Sequence, residues 1–185
     1  MKILAISGSL REASTNTAIL KNLQKLAPEN LEIEAYFQAG ELPHFSPDID
    51  REGAYEAVET LRNLVKNSDG VIICTPEYAF GVPGSLKNAL DWLVSSGEFN
   101  EKPVAAISAS PLYSGGDKAM ASLNLTLTAL GTINAGRLSI PNIKNKLNAE
   151  REVTDQETME SLQGILTGLK KVIEAKQAGG HFKPV

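Results

Sequence analysis

Apolar and polar positions along this chain switch between two periods, and each switch marks an element. Ile3 to Ile6 is a short continuous apolar run that ends in Ser7-Gly8-Ser9. Such a run fits a strand buried on both faces. From Thr15 to Leu26 the spacing becomes helical, with Ile19, Leu20, Leu23 and Leu26 on one face. Pro28-Glu29-Asn30 breaks that helix, and Leu31 to Phe37 alternates as a half-buried strand does. Gly40 to Gly53 holds Pro43, Pro47 and several Asp, so it reads as loop. Ala54 to Asn67 is helical again through Val58, Leu61 and Val65. Gly70 to Thr75 is a second fully apolar run.

Pro83-Gly84 opens a third helix, apolar at Leu86, Leu90, Leu93 and Val94. Trp92 falls off that stripe, so it either anchors an interface between copies or simply covers a neighbouring loop. Pro103 to Ser108 is the next buried strand, followed by a Ser/Gly-rich loop to Gly116 and a helix to about Leu130. Thr132 to Ser139 is a fifth strand of weaker pattern. Asp155 to Lys176 is a long last helix with Leu162, Ile165, Leu166, Leu169, Val172 and Ile173 on its apolar side.

Strands alternating with helices give an α/β three-layer sandwich, a parallel sheet with helices on both faces. In the flavodoxin-like version the five strands run in the order 2-1-3-4-5. The ligand then sits at the carboxyl ends of strands one and three, where the winding reverses. The loops after the first, third and fourth strands should carry the function, and those are the loops of unusual composition. A single domain is expected over residues 1–178, with a flexible tail over 179–185.

Composition removes several classes. The net charge of −4 argues against a nucleic-acid binder, which is usually basic. No run of eighteen apolar residues occurs, so no membrane span is expected. The chain enters a strand at once, so no signal peptide is expected, and the cytoplasm is the expected location. The one cysteine, Cys74, excludes an internal disulfide framework and a multi-cysteine metal site. It ends a buried strand and reads as core. His44 and His181 read as surface groups, and no G-x-S-x-G elbow is present, so no metal site and no hydrolase are expected.

The three loops differ in what they offer. After the first strand come Ser9, Arg11, Ser14, Thr15, Asn16 and Thr17, then a helix start. Free amides of a first helical turn, hydroxyls and a guanidinium together make an anion site. Neither G-x-G-x-x-G nor G-K-[ST] is present, so a single terminal phosphate suits the loop better than a dinucleotide or a nucleoside triphosphate. The plainer alternative is that Ser14 or Thr15 only caps the helix and Arg11 is solvated. The second loop, Thr75 to Gly84, is fixed by prolines and glycines, and its Tyr78 and Phe80 either border a flat ring or plug the sheet edge. The third, Ser108 to Gly116, either meets the polar edge of a heterocycle or is a flexible connection.

Gly8-Ser9-Leu10-Arg11-Glu12-Ala13-Ser14-Thr15-Asn16 resembles the G-S-x-R-x-x-S-x-N loop of the NADPH-dependent FMN reductase family. Pro76-Glu77-Tyr78, followed by Pro83-Gly84-x-Leu86-Lys87-Asn88-Ala89-x-Asp91-Trp92, resembles that family's second signature, and Gly115-Gly116 more loosely its third flavin loop. The resemblance implies a flavodoxin-like fold, bound FMN, and a homodimer or a dimer of dimers. It implies hydride transfer from NADPH or NADH through FMN to a small acceptor such as a quinone, azo dye, chromate or free flavin. By position, Ser9, Arg11, Ser14, Asn16 and Thr17 would hold the FMN phosphate. Pro76, Glu77, Tyr78, Ala79 and Phe80 would line the isoalloxazine, and Ser108, Ser110, Gly115 and Gly116 would approach its other side or the ribityl chain. No side chain is expected to act as a catalytic residue, because the cofactor carries the hydride chemistry. The family often has Asn and Ser where this chain has Ala79 and Gly81, so side-chain hydrogen bonds are absent there. A non-enzymatic electron carrier and a flavin-binding regulatory module are the competing functions.

Overall fold

The computed structural model describes residues 1–180. Strand β1 (Lys2–Ser7) pairs in parallel with β2 (Glu32–Tyr36) on one side and β3 (Gly70–Thr75) on the other. Strands β4 (Pro103–Ala109) and β5 (Ile133–Ile140) complete a sheet of order β2-β1-β3-β4-β5. This is the expected flavodoxin-like topology, and its winding reverses between β1 and β3. The end of the expected tail, residues 181–185, lies outside the described residues.

The pleat sorts each strand's side chains into two cores. Leu4, Ile6, Val71 and Ile73 face helices α2 (Glu56–Lys66), α3 (Gly84–Asp91) and α4 (Asp117–Ala129). Ile3, Ala5, Ile72 and Cys74 face α1 (Thr15–Leu26) and α5 (Gln156–Gln177). Burial on both faces explains why the central strands read as continuous apolar runs. Each fully buried Leu or Ile contributes about 1.5–3 kcal/mol, so the two cores hold the carboxyl ends of β1, β3 and β4 firmly. No helix among the described residues is long and apolar enough to cross a membrane.

Three departures from the sequence pattern have local causes. Strand β5 lies at the sheet edge and slips register against Val104/Ala105, with Gly136 at φ +152°. That irregularity breaks the period-two alternation and weakens the pattern. Helix α2 starts at Glu56, because Tyr55 is extended as its N-cap and turns its ring to Trp92.

At Trp92 the interface alternative is wrong and the neighbouring-loop alternative holds. The residue is 1% exposed and cannot anchor an interface. Helix α3 ends at Asp91, so Trp92 closes the helix and the helical stripe does not govern it. The long connection between β2 and α2 folds over it. Phe45 meets the Trp92 ring edge-on at 5.2 Å, and Trp92 Nε1 donates to Pro43 O at 2.8 Å. Asn88 holds the same connection, accepting from Phe45 N at 2.8 Å and donating to Pro43 O at 3.0 Å. Beneath lies Arg62, itself buried, which donates to Asp50 Oδ1 at 2.8 Å and to Trp92 O at 3.0 Å. The Ser95 hydroxyl and Arg62 hold the Asp50 carboxyl below its ordinary range.

Candidate active site

The first loop leaves β1 at Ser7 and crosses the end of β3. Gly8 N donates to Cys74 O at 2.8 Å, and a Cβ on Gly8 would stand 3.2 Å from Thr75 Cα. Ser14 then caps α1, its Oγ accepting from Asn16 N at 3.2 Å and Thr17 N at 3.4 Å. The capping alternative is thus correct for Ser14. It does not exhaust the helix end, because the amides of Ser14 and Thr15 donate to no protein group among the described residues. Ser9 Oγ accepts from Arg11 N at 3.4 Å and keeps its own proton to donate elsewhere. Arg11 is exposed, and its guanidinium has no protein partner among the described residues.

Two residues expected at the phosphate are occupied elsewhere. Asn16 is 2% exposed; its Nδ2 donates to Ala109 O and its Oδ1 accepts from the Cys74 thiol, each at 3.3 Å. It ties α1 to β3 and β4. Thr17 Oγ1 lies 3.2 Å from Ser7 Oγ. Cys74 is core as expected, and full burial pushes its thiol pKa far up, so it is no thiolate.

The second loop is a tight turn. Tyr78 and Gly81 exchange both backbone hydrogen bonds at 3.0 Å, with Ala79 at φ +48° and Phe80 at φ +60° between them. Two consecutive left-handed residues are the mark of a type I′ turn, which usually demands Asn or Gly. The turn throws Phe80 outward to 77% exposure. Glu77 borders the cleft, but its carboxylate is committed: Oε2 accepts from Lys118 N and Ala119 N, both at 3.0 Å. Glu77 therefore caps α4, whose own N-cap, Gly116, has no side chain to offer.

In the third loop Ser108 is fully buried and its hydroxyl donates to Gly115 O at 2.8 Å. Gly115 and Gly116 adopt φ +63° and +83°, and a Cβ on Gly115 would reach within 3.0 Å of Pro141 N. Backbone conformation explains both glycines. Ser110 Oγ accepts from Leu112 N at 3.1 Å.

The three loops meet in one cleft of about 200 Å³. Of the residues named from the sequence, Ser9, Arg11, Ser14, Asn16, Pro76, Glu77, Tyr78 and Ser110 line it. Thr17, Ala79, Phe80, Ser108, Gly115 and Gly116 do not; they shape or hold the walls. Thr15, Ala109, Pro111 and Leu112 complete the lining. Larger hollows lie between the β2 edge and α2 and between α1 and α5, away from the three loops. Free helix amides, a hydroxyl proton and an unpaired guanidinium at one end of the cleft fit a terminal phosphate.

The family model described as NADPH-dependent FMN reductase matches residues 1–144. The chain belongs to that family. A quinone reductase of Escherichia coli is 33% identical over 180 residues, 94% of this chain and 96% of its own. Among solved structures, the flavoenzyme NAD(P)H:(acceptor) oxidoreductase FerB of Paracoccus denitrificans superposes with a TM-score of 0.84. It is 34% identical, covering 94% of this chain and 97% of that one. A flavodoxin from Pseudomonas aeruginosa, 16% identical with a TM-score of 0.60 over 92% and 99% of the two chains, shares the fold. The reductase is a flavin-dependent NAD(P)H oxidoreductase, with FMN as its cofactor and NAD(P)H as its hydride donor. Arg11, the Ser9 hydroxyl proton and the Ser14 and Thr15 amides are the cleft donors that no protein group takes up among the described residues.

Proposed function

We propose that the reductase works as a quinone-type reductase of broad acceptor choice, with NAD(P)H and acceptor entering one crevice in turn. The observation that carries this is the single cleft formed by all three loops, whose polar side chains are mostly turned to the scaffold. Bound FMN supplies the hydride acceptance and release. The chain's part is to bind and orient. Arg11 and the α1 amides hold the phosphate end, while Pro76 and Tyr78 border the ring. Glu77 Oε2 accepts from the Lys118 and Ala119 amides, so the carboxylate is anchored to α4.

The rim is apolar and open. Tyr78 is 49% exposed, and Leu112 and Tyr113 stand further out. Such a rim favours flat, apolar acceptors over any one polar substrate, so quinones head the proposal, with azo dyes, chromate and free flavin as further acceptors. A relative named quinone reductase supports that order. One cleft for two substrates gives a ping-pong cycle. Initial rates of NAD(P)H oxidation at several fixed quinone concentrations should give parallel double-reciprocal lines. Intersecting lines would mean that donor and acceptor bind together at separate places. An electron carrier or regulatory module would show no quinone-dependent turnover at all. Assembly as a homodimer or dimer of dimers remains part of the proposal on the family resemblance alone, since buried Trp92 gives it no support, and a cytoplasmic location remains part of it on the sequence reading.

A further inference from the structure

The chain returns to the phosphate loop from well beyond the family signatures. Leu147 and Val153 form an isolated antiparallel bridge, and residues 148–152 turn tightly between them. Arg151 N donates to Asn148 O, and Asn148 N to Glu152 O, both at 3.0 Å. The turn is docked on α1. Asn22 is buried there; its Nδ2 donates to Arg151 O and its Oδ1 accepts from Val153 N, both at 3.0 Å. Lys25 Nζ adds an ion pair to Glu152 Oε1 at 2.6 Å.

This docking holds Arg151 at φ +65°. A side chain there is disfavoured, and glycine would fit the turn more easily. The backbone of the turn thus gives no reason for an arginine. The side chain gives one. Its Nη2 donates to Ala13 O at 2.9 Å and its Nη1 to Ser14 O at 3.4 Å.

Ala13 and Ser14 are the two peptides that enter α1. No peptide bond among the described residues is cis, so each of these carbonyls points opposite to the N–H of the following residue. Ser14 O also accepts Ala18 N at 3.0 Å, the first helical bond, so α1 itself sets the Thr15 amide, while drawing the Ala13 carbonyl toward Arg151 turns the Ser14 amide away from it. Those are the amides left without a protein acceptor, and both residues line the cleft. The positive charge itself is a lesser part, because Glu12, Glu150 and Glu152 balance Lys21, Lys25 and Arg151 in the groove around the guanidinium.

We propose that Arg151 is a positioning residue for the FMN phosphate: it grips the Ala13 carbonyl so that the Ser14 amide is fixed toward the cleft, beside the Thr15 amide that α1 sets, before the cofactor arrives. This rests on the reading of the first loop as the phosphate site. A donor set fixed in advance binds more tightly than one ordered on binding.

The test compares FMN with riboflavin, which lacks the phosphate, on the apo-reductase and on its Arg151→Gly variant. Binding is read by quenching of flavin fluorescence, and the apoprotein's thermal midpoint is measured alongside. Arg151→Gly should weaken FMN about tenfold, the scale of one charge-assisted hydrogen bond. Riboflavin affinity should stay within about twofold. The apo midpoint should stay within about 3 °C, because the loss of two partly exposed hydrogen bonds is offset by relief at φ +65°. Unchanged FMN affinity would overturn the proposal. Equal weakening of FMN and riboflavin would overturn it as well, by showing a general loss of structure. Wild-type protein binding riboflavin as tightly as FMN would bring down the phosphate reading itself, whatever the variant does.

Discussion

Replacing Glu77 separates two accounts of the second loop. By family position its side chain belongs against the ring; in the structure Oε2 accepts from Lys118 N and Ala119 N at 3.0 Å. Glu77→Ala removes the cap of a thirteen-residue helix whose own N-cap is Gly116. Losing an N-cap costs about 0.5–2 kcal/mol, and losing a carboxylate at a helix N-terminus costs a further ~0.3–1 kcal/mol. Water reaches Lys118 N, so the lower half of that range applies, about 1–2 kcal/mol. For a chain of this size each kcal/mol moves the midpoint by roughly 2–4 °C, which gives a fall of about 2–8 °C.

The assay is thermal unfolding of the apoprotein, followed by circular dichroism, with FMN affinity measured beside it. Glu77→Gln keeps an acceptor oxygen and loses the charge, so its midpoint should lie between wild type and Glu77→Ala. FMN should weaken only a few-fold in either variant, because the cap joins the second loop to the start of α4 and its loss loosens both walls. An apo midpoint unchanged in Glu77→Ala, together with loss of turnover, would refute the reasoning. The carboxylate would then act on the cofactor.

Two further predictions rest on charges outside that joint. Arg11→Ala should weaken FMN by about 1.5–3 kcal/mol, roughly 10- to 100-fold; retention within about 0.5 kcal/mol in equilibrium dialysis would mean that Arg11 is only solvated. Asp50, held below its ordinary range by Ser95 and Arg62, contributes stability that is full above the unfolded carboxylate value and is lost as pH falls below it. Apoprotein stability from urea unfolding should therefore decline below about pH 4. Asp50→Asn should flatten that decline and cost about 2 kcal/mol at neutral pH, because Arg62 keeps Glu59 and Trp92 O as partners.

The sheet was legible because its central strands are buried on both faces, and burial of that kind leaves long apolar runs such as Val71 to Cys74. The winding reversal followed from strand order, and with it the three loops that meet. Strand β5 was faint because a register slip breaks its alternation. Trp92 was ambiguous because helical spacing does not extend past the helix end, and because no local pattern reports that Pro43 and Phe45 fold back onto it. Arg151 left no signal either. Its partners are Ala13 and Ser14, more than a hundred and thirty positions away, and they offer backbone oxygens that no sequence pattern records. Long-range contact to main chain is the kind of information a single sequence withholds.

The same distinction bears on what the family signatures encode. Asn16, Glu77, Asn88 and Trp92 all stand in those signatures, and each side chain is spent on holding one loop or helix to another. The signatures thus specify a crevice of fixed shape more than a set of contacts. What remains free at its phosphate end is Arg11, the Ser9 proton and two amides, a donor set matched to one anion. What remains free at its mouth is apolar: Tyr78, Phe80, Leu112 and Tyr113. Phe80 is presented by a turn that is strained for want of Asn or Gly at Ala79 and Phe80. On the proposed function, a rigid anion-binding end with an open apolar mouth would hold one cofactor firmly and leave acceptor choice to size and flatness.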